Sequence, residues 1–170
     1  MRRRPMPELV DEATIALARV VVRALKDARQ SVATAESLTA GLCCATLTTV
    51  PGASAVVRGG LIVYATDLKA SLAGVPEEVL RAWGPVSELT AVHLARGAAA
   101  RTSSDWGLSL TGVAGPDPQD GHPVGEVWVA AGSAEHARAV RLDCRGDRTR
   151  IRAQAVDGAL RLLRDRLSEQ

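Results

Sequence analysis

Three stretches of this sequence carry polar or glycine-rich residues at the ends of apolar runs, where open α/β folds place their sites. In Ala35-Glu36-Ser37-Leu38-Thr39-Ala40-Gly41, small hydroxyl residues either cap a helix or join exposed backbone amides in holding an anion. In Tyr64-Ala65-Thr66-Asp67-Leu68-Lys69, a tyrosine and a lysine suggest a serine nucleophile activated by the amine, with the phenol relaying a proton or stabilising charge. Five residues apart, Tyr64 and Lys69 do not share a face of one helix. They converge if Tyr64 ends a strand and Lys69 lies on the helical turn that follows; otherwise they are a half-buried tyrosine and a solvated lysine. In Thr111-Gly112-Val113-Ala114-Gly115-Pro116, glycines let backbone amides approach a ligand closely, or simply make a tight turn.

Other chemistries find less support. His93, His122 and His136 lack metal-ligand spacing. Cys43, Cys44 and Cys144 are an odd set, two of them adjacent, and read as small buried hydrophobes with no CxxC pair. Neither a Walker loop nor a GxGxxG fingerprint occurs. Arg145, Arg148, Arg150 and Arg152 cluster at the start of the last helix, a solvated face from which one arginine can reach a phosphate. Of 21 basic residues only Lys26 and Lys69 are lysine. That singles Lys69 out, because a desolvated lysine can serve as a general base and an arginine cannot.

The elements that must position these residues follow from periodicity. Pro7–Ala28 reads as an amphipathic helix with acids near its start, and Val32–Ala35 as a short buried strand. Small residues over Thr39–Thr48 suit a helix packed closely on a sheet. Gly59–Ala65 is the strongest buried-strand signal before the midpoint. Thr66-Asp67 can cap a short helix to Leu72, Pro76–Trp83 forms another, and Ser87 caps a third to Thr102. Leu108–Thr111 reads as a strand, Val124–Ala131 and Ala137–Cys144 as a strand pair, and Asp147–Leu167 as the closing helix. Interleaved helices and strands with a late hairpin predict a single α/β layered domain, a mixed β-sheet flanked by helices.

Composition agrees. The chain has 170 residues, 46% hydrophobic and 24% charged, enough for one domain with a real core spanning 1–170, residues 1–6 forming a flexible N-terminus. There is no run long enough for a membrane span and no secretory pattern in the first residues, so the cytoplasm is the expected compartment and no membrane the expected partner. A formal net charge of +2 and four aromatic residues, Tyr64, Trp83, Trp106 and Trp128, disfavour nucleic acid.

Taken together, the three stretches resemble the CinA C-terminal domain family. Ala35–Gly41 is similar to its A-E-S-C-T-G-G signature, and Gly59-Gly60 with Tyr64 and Lys69 to its G-G-x-x-x-Y-x-x-x-x-K segment. Pro85-Val86-Ser87-Glu88, Thr111–Pro116, Pro123-Val124-Gly125 and Gly146-Asp147-Arg148 with Arg152 match later blocks in order. The resemblance spans roughly residues 8 to 167, nearly the whole chain. It implies a stand-alone nicotinamide-nucleotide amidase that converts nicotinamide mononucleotide to nicotinic acid mononucleotide and ammonia, with no metal or cofactor. It assigns catalysis to Ser37, Tyr64 and Lys69, with Tyr64 orienting or relaying the proton. Glu36, Thr39, Gly41, Thr111, Gly112, Ala114, Gly115 and Arg148 become substrate contacts, with amides near Ser37 and Thr39 holding the oxyanion. The expected partners are a small-molecule nucleotide and further copies of the chain, as a dimer or larger assembly.

The sequence departs from the family at Leu38 (usually cysteine), at Ala40 (usually glycine), and in the 117–122 loop, which lacks a glycine run and has His122 in place of a lysine. These departures keep open a second reading, a catalytically inactive nucleotide- or partner-binding module. A third reading, a short-chain-dehydrogenase-like oxidoreductase prompted by Tyr64 and Lys69, is disfavoured: that family's Y-x-x-x-K is one residue shorter, and the glycine fingerprint is missing.

Overall fold

Asp11 opens the first helix. Its carboxylate accepts the Thr14 amide at 2.8 Å, and α1 runs Glu12–Ala28 in the computed structural model, which describes residues 9–170. The expected flexible stretch 1–6 and the helix start at Pro7 lie outside the described residues. Five strands follow in chain order: β1 Val32–Glu36, β2 Val57–Ile62, β3 Trp106–Gly112, β4 Glu126–Gly132 and β5 Ala137–Asp143. Between and after them lie α2 Leu42–Thr48, α3 Thr66–Ser71, α4 Glu77–Trp83, α5 Glu88–Thr102 and α6 Arg148–Ser168. The sheet order is β2-β1-β3-β4-β5, with β2, β1 and β3 parallel and β4 and β5 antiparallel, which is the mixed flanked sheet the pattern predicts.

Strand alternation sorts the core onto two faces. Val32 of β1, Leu108 and Leu110 of β3 and Val127 and Val129 of β4 pack with α1, α2 and α6. Ala33 and Ala35 face the other way, toward Leu94 and Ala98 of α5 and the α3–α4 segment. Both faces being covered, β1 and β3 are buried along almost their whole length. No helix among the described residues is long and apolar enough to cross a membrane.

Three expectations about elements need correction. The strand expected at Gly59–Ala65 is β2, shifted to Val57–Ile62 and lying at the sheet edge, where alternate residues are exposed. Its run of Leu61, Ile62 and Val63 reads as a fully buried strand, but only β1 pairs with it, and Ile62 faces outward. The helix expected from Thr39 begins at Leu42, because residues 37–41 form a turn instead. In α3 the capping position is Ala65, with no side-chain cap, so Thr66 and Asp67 lie inside the helix. By contrast Ser87 does cap α5, accepting the Thr90 amide at 3.1 Å.

Candidate active site

The carboxyl ends of the three parallel strands lie side by side, and each delivers one part of a cleft of about 140 Å³. Ser37 follows β1, Tyr64 follows β2 and leads into α3 with Lys69, and the Thr111–Gly115 turn ends β3; Arg148, at the start of α6, closes the ring.

The turn after β1 is built by Glu36. Its carboxylate is fully buried and accepts the Thr34 hydroxyl at 2.9 Å and the amides of Gly41, Cys43 and Cys44 at 3.0, 3.0 and 2.8 Å. It therefore caps α2 in the way Ser37 or Thr39 was expected to, and draws the chain into a tight bend. Ala40 (φ 47°) and Gly41 (φ 97°) take left-handed conformations in sequence, and the Ala40 amide closes on the Ser37 carbonyl at 3.0 Å. From the far side Arg152 of α6 donates to the Leu38 and Thr39 carbonyls, both at 3.0 Å. Ser37, itself 8% exposed, thus lines the cleft at the end of a strand, on a bend fixed from two sides.

Lys69 is the largest fully buried side chain among the described residues, 1% exposed. Its Nζ lies 3.1 Å from Ser37 Oγ, 2.8 Å from the Val63 carbonyl and 3.4 Å from the Tyr64 carbonyl. Burial lowers its pKa from 10.5 to about 8, against a small opposing pull from Asp67. A neutral amine has two hydrogens and one lone pair. Donation to the two carbonyls turns the lone pair toward the Ser37 hydroxyl, the arrangement a general base needs.

The remaining sequence candidates divide. Tyr64 lines the cleft but is 57% exposed, and its hydroxyl accepts from Arg148 Nη2 at 2.9 Å; only its backbone carbonyl meets Lys69. The expected proton relay through the phenol therefore has no contact with the amine in this structure. Arg148 also donates to the Gly115 carbonyl, so it ties the tyrosine to the loop after β3 across the cleft. Thr111, Gly112, Ala114 and Gly115 line the cleft. Thr111 donates its hydroxyl proton to the Pro85 carbonyl at 2.7 Å, and a side chain at Gly112 would sit 2.5 Å from the Glu126 carbonyl, so that glycine serves strand packing. Glu36, Thr39 and Gly41 do not line the cleft: Glu36 and Gly41 build the bend, and Thr39 is buried with its hydroxyl unpartnered. The Ser37 amide, expected to help hold an oxyanion, is spent on the Leu110 carbonyl at 2.9 Å. Among the described residues the Leu38 amide has no acceptor, and Leu38 lines the cleft.

Sequence reasoning passed over Leu38, Thr66, Val86, Asp117 and Gln119 as cleft residues and Arg152 as a support. For Arg152 the signal was present: it falls four residues after Arg148 and so shares its helix face. Burial pushes the Cys43 thiol well above its ordinary range and Cys144 to about 11, consistent with inert core residues, whereas Cys44 is half-buried.

Comparison with known proteins agrees with this architecture. The family model for the CinA C-terminal domain matches residues 14–167. A CinA-like protein of Frankia casuarinae is 47% identical over 151 residues, covering 88% of this chain and 34% of that protein. The chain spans about a third of the length of the curated relatives it matches. The crystal structure of a competence/damage inducible protein from Agrobacterium tumefaciens superposes with a TM-score of 0.87 at 34% identity, covering 95% of this chain and 99% of that one. A CinA superfamily protein from Klebsiella pneumoniae gives 0.89 at 29% identity, covering 92% and 99%. On sequence and fold together, the chain belongs to the CinA C-terminal domain family.

Proposed function

We propose that this domain is an amidohydrolase acting on the carboxamide of nicotinamide mononucleotide, with Ser37 as nucleophile and Lys69 as base. The observation that carries the reading is a buried amine with a pKa of about 8 held 3.1 Å from a serine hydroxyl by two backbone carbonyls. At pH 7 about a tenth of such an amine is neutral, about three-hundredfold more than for a solvated lysine.

Lys69 takes the Ser37 proton as Oγ attacks the amide carbon, and the carbonyl oxygen becomes an oxyanion within reach of the Leu38 amide, the residue after the nucleophile. The lysine ammonium then gives its proton to the departing nitrogen, the C–N bond breaks, and ammonia leaves an ester on Ser37. A water molecule attacks that ester, its proton passing to Lys69. Lys69 returns that proton to Oγ as the acyl C–O bond breaks, the acid departs, and Ser37 is restored.

Size favours a flat head group. A cavity of about 150 Å³ holds one six-membered aromatic ring, and the cleft is of that order. On this reading the pyridine carboxamide enters and the ribose phosphate stays at the mouth, where Arg148 stands. The phosphate would then compete with Tyr64 and Gly115 for the guanidinium.

The test is ammonia release from nicotinamide mononucleotide by the purified domain, with Ser37→Ala as control. The expected loss is at least about 10³-fold in kcat with the fold unchanged. Retention of turnover by the variant removes Ser37 from its role. A folded wild type that binds the nucleotide without releasing ammonia returns the inactive binding module, the reading that Ala40 and the 117–122 loop leave open.

A further inference from the structure

We infer that Arg152 is a positioning residue that orients the oxyanion-binding backbone next to Ser37, an assignment that rests on the amidohydrolase reading. Four arginines in the first half of the carboxy-terminal segment invite one common explanation as a basic surface, but the structure separates them. Arg148 reaches the mouth of the cleft. Arg152, one turn later on the same face of α6, reaches the bend itself: Nε donates to the Leu38 carbonyl and Nη2 to the Thr39 carbonyl, each at 3.0 Å.

Two features argue for a task beyond holding the fold. The first is the choice of partners. Farther along α6, Arg161, Arg164 and Arg166 pair with the carboxylates of Asp157, Asp165 and Glu169. Among the described residues Arg152 pairs with no carboxylate and bonds only carbonyl oxygens of the bend, so its positive charge stands beside that backbone. Such a charge favours negative charge developing nearby. The second feature is the peptide geometry. In a trans peptide unit the C=O and N–H point in opposite directions. Fixing the Leu38 and Thr39 carbonyls toward α6 turns the Thr39 and Ala40 amides away from it. The Ala40 amide closes on the Ser37 carbonyl. That closure in turn swings the Leu38 amide, in the same peptide unit as the Ser37 carbonyl, to the outside of the bend. The Leu38 and Thr39 amides are left without acceptors among the described residues.

Glu36 holds the other end of the bend by its amides at Gly41, Cys43 and Cys44, and touches neither unit that Arg152 holds. Without the guanidinium, the peptide unit joining Leu38 and Thr39 loses its only tether among the described residues and can rotate. Rotation would replace a donor by a carbonyl, which repels an oxyanion. The residue acts through the backbone and touches no reacting atom.

The experiment uses two substrates on the intact chain. Steady-state deamidation of nicotinamide mononucleotide gives kcat and KM. Labelling by a small fluorophosphonate, followed by intact mass, reports Ser37 directly: Oγ forms a bond to phosphorus, fluoride leaves, and the proton passes to Lys69. Arg152→Met is expected to lower kcat and the labelling rate by about 10- to 100-fold with KM within about threefold. Guanidinium ion at millimolar concentration is expected to restore part of both rates, and Arg152→Lys to lie in between, since an ammonium supplies the charge without the fork. If the methionine variant is too unstable to assay, Arg152→Lys carries the test, with a loss of about threefold or more in kcat expected. Equal kcat in folded Arg152→Met, or a change confined to KM, overturns the assignment. Labelling keeps it distinct from the substrate reading: a wild type inert to the nucleotide but labelled at Ser37 still shows the Arg152 dependence. A wild type labelled nowhere overturns the assignment together with the nucleophile.

Discussion

Replacing Lys69 by methionine exchanges a buried amine for an apolar side chain of similar length, and its effect on stability can be worked out from the site. An unfolded chain holds this lysine at an ordinary pKa near 10.5, whereas the fold lowers it to about 8. At about 1.4 kcal/mol per pH unit, that gap makes the buried ammonium a burden of about 3 kcal/mol at neutral pH. The methionine variant sheds it. In exchange, the carbonyls of Val63 and Tyr64 lose their donor, at about 1 kcal/mol or slightly more each. The balance leaves Lys69→Met as stable as the wild type at pH 7, or more stable by up to about 1 kcal/mol, while the proposed amidase activity is lost.

The sign of the pH dependence is the sharper part. Below pH 8 both folded and unfolded wild type hold the proton, and the burden is constant. As pH rises past about 8 the folded amine releases its proton while the unfolded one keeps it up to about 10.5, so the unfolded state binds more protons and wild-type stability climbs. The variant has no such titration. Urea unfolding of both proteins, fitted with a common slope at a series of pH values, should show the variant's advantage shrinking by about 2 kcal/mol between about pH 7 and about pH 10. Groups other than Lys69 cancel in the difference. A variant destabilised by more than about 2 kcal/mol at pH 7, or a difference flat in pH, would falsify the reasoning that burial alone poises this amine.

Three further outcomes follow from the same geometry. Wild-type kcat/KM for the nucleotide should rise with pH and level off above an apparent pKa of about 8, because the base works only when neutral; a profile already flat from pH 6 would assign the proton to another group. Ala40→Gly should stabilise the fold by about 0.5–1 kcal/mol, since a left-handed φ of 47° costs an L-residue more than glycine's extra freedom returns; urea midpoints decide it, and a loss of stability would mean the methyl has a packing role. Tyr64→Phe should act mainly on KM, about 3- to 10-fold, because the phenol meets Arg148 and not Lys69; a loss beyond about 100-fold in kcat at unchanged KM would reinstate the proton relay.

Much of this site was legible because it rests on local rules. Ser87 announces α5 by its hydroxyl, and the six-residue segment from Tyr64 to Lys69 does place a strand's end before a helical turn. What the sequence does not carry is which group of each residue faces the serine. Tyr64 reaches Lys69 by its carbonyl and turns its hydroxyl outward, a choice set by Arg148, 84 residues away. The family resemblance makes Glu36 a ligand contact, but three amides of the following bend converge on it and it is buried. The β2 strand misled for the complementary reason. Leu61, Ile62 and Val63 are apolar in any strand position, and only strand order reveals that β2 is an edge.

These particulars share one cause. The junction after β1 and the lysine packed against it concentrate local costs: a left-handed alanine, a buried amine, and a threonine hydroxyl without a partner among the described residues. Each is tolerated because stronger bonds fix the neighbouring backbone, three to the Glu36 carboxylate and two from Arg152. Charged groups make such bonds about twice as strong as neutral ones. The two ions are therefore spent on backbone atoms, beyond reach of the cleft, while the one ionisable group in contact with the serine is held where it loses its charge near neutral pH. Rigidity at the bend and a poised amine beside it are separate requirements of the proposed acylating site, and separate residues meet them. Substitutions should divide accordingly: those at Glu36 loosen the fold, those at Lys69 leave it intact and remove the chemistry, and those at Arg152 fall between, altering the rate through the backbone.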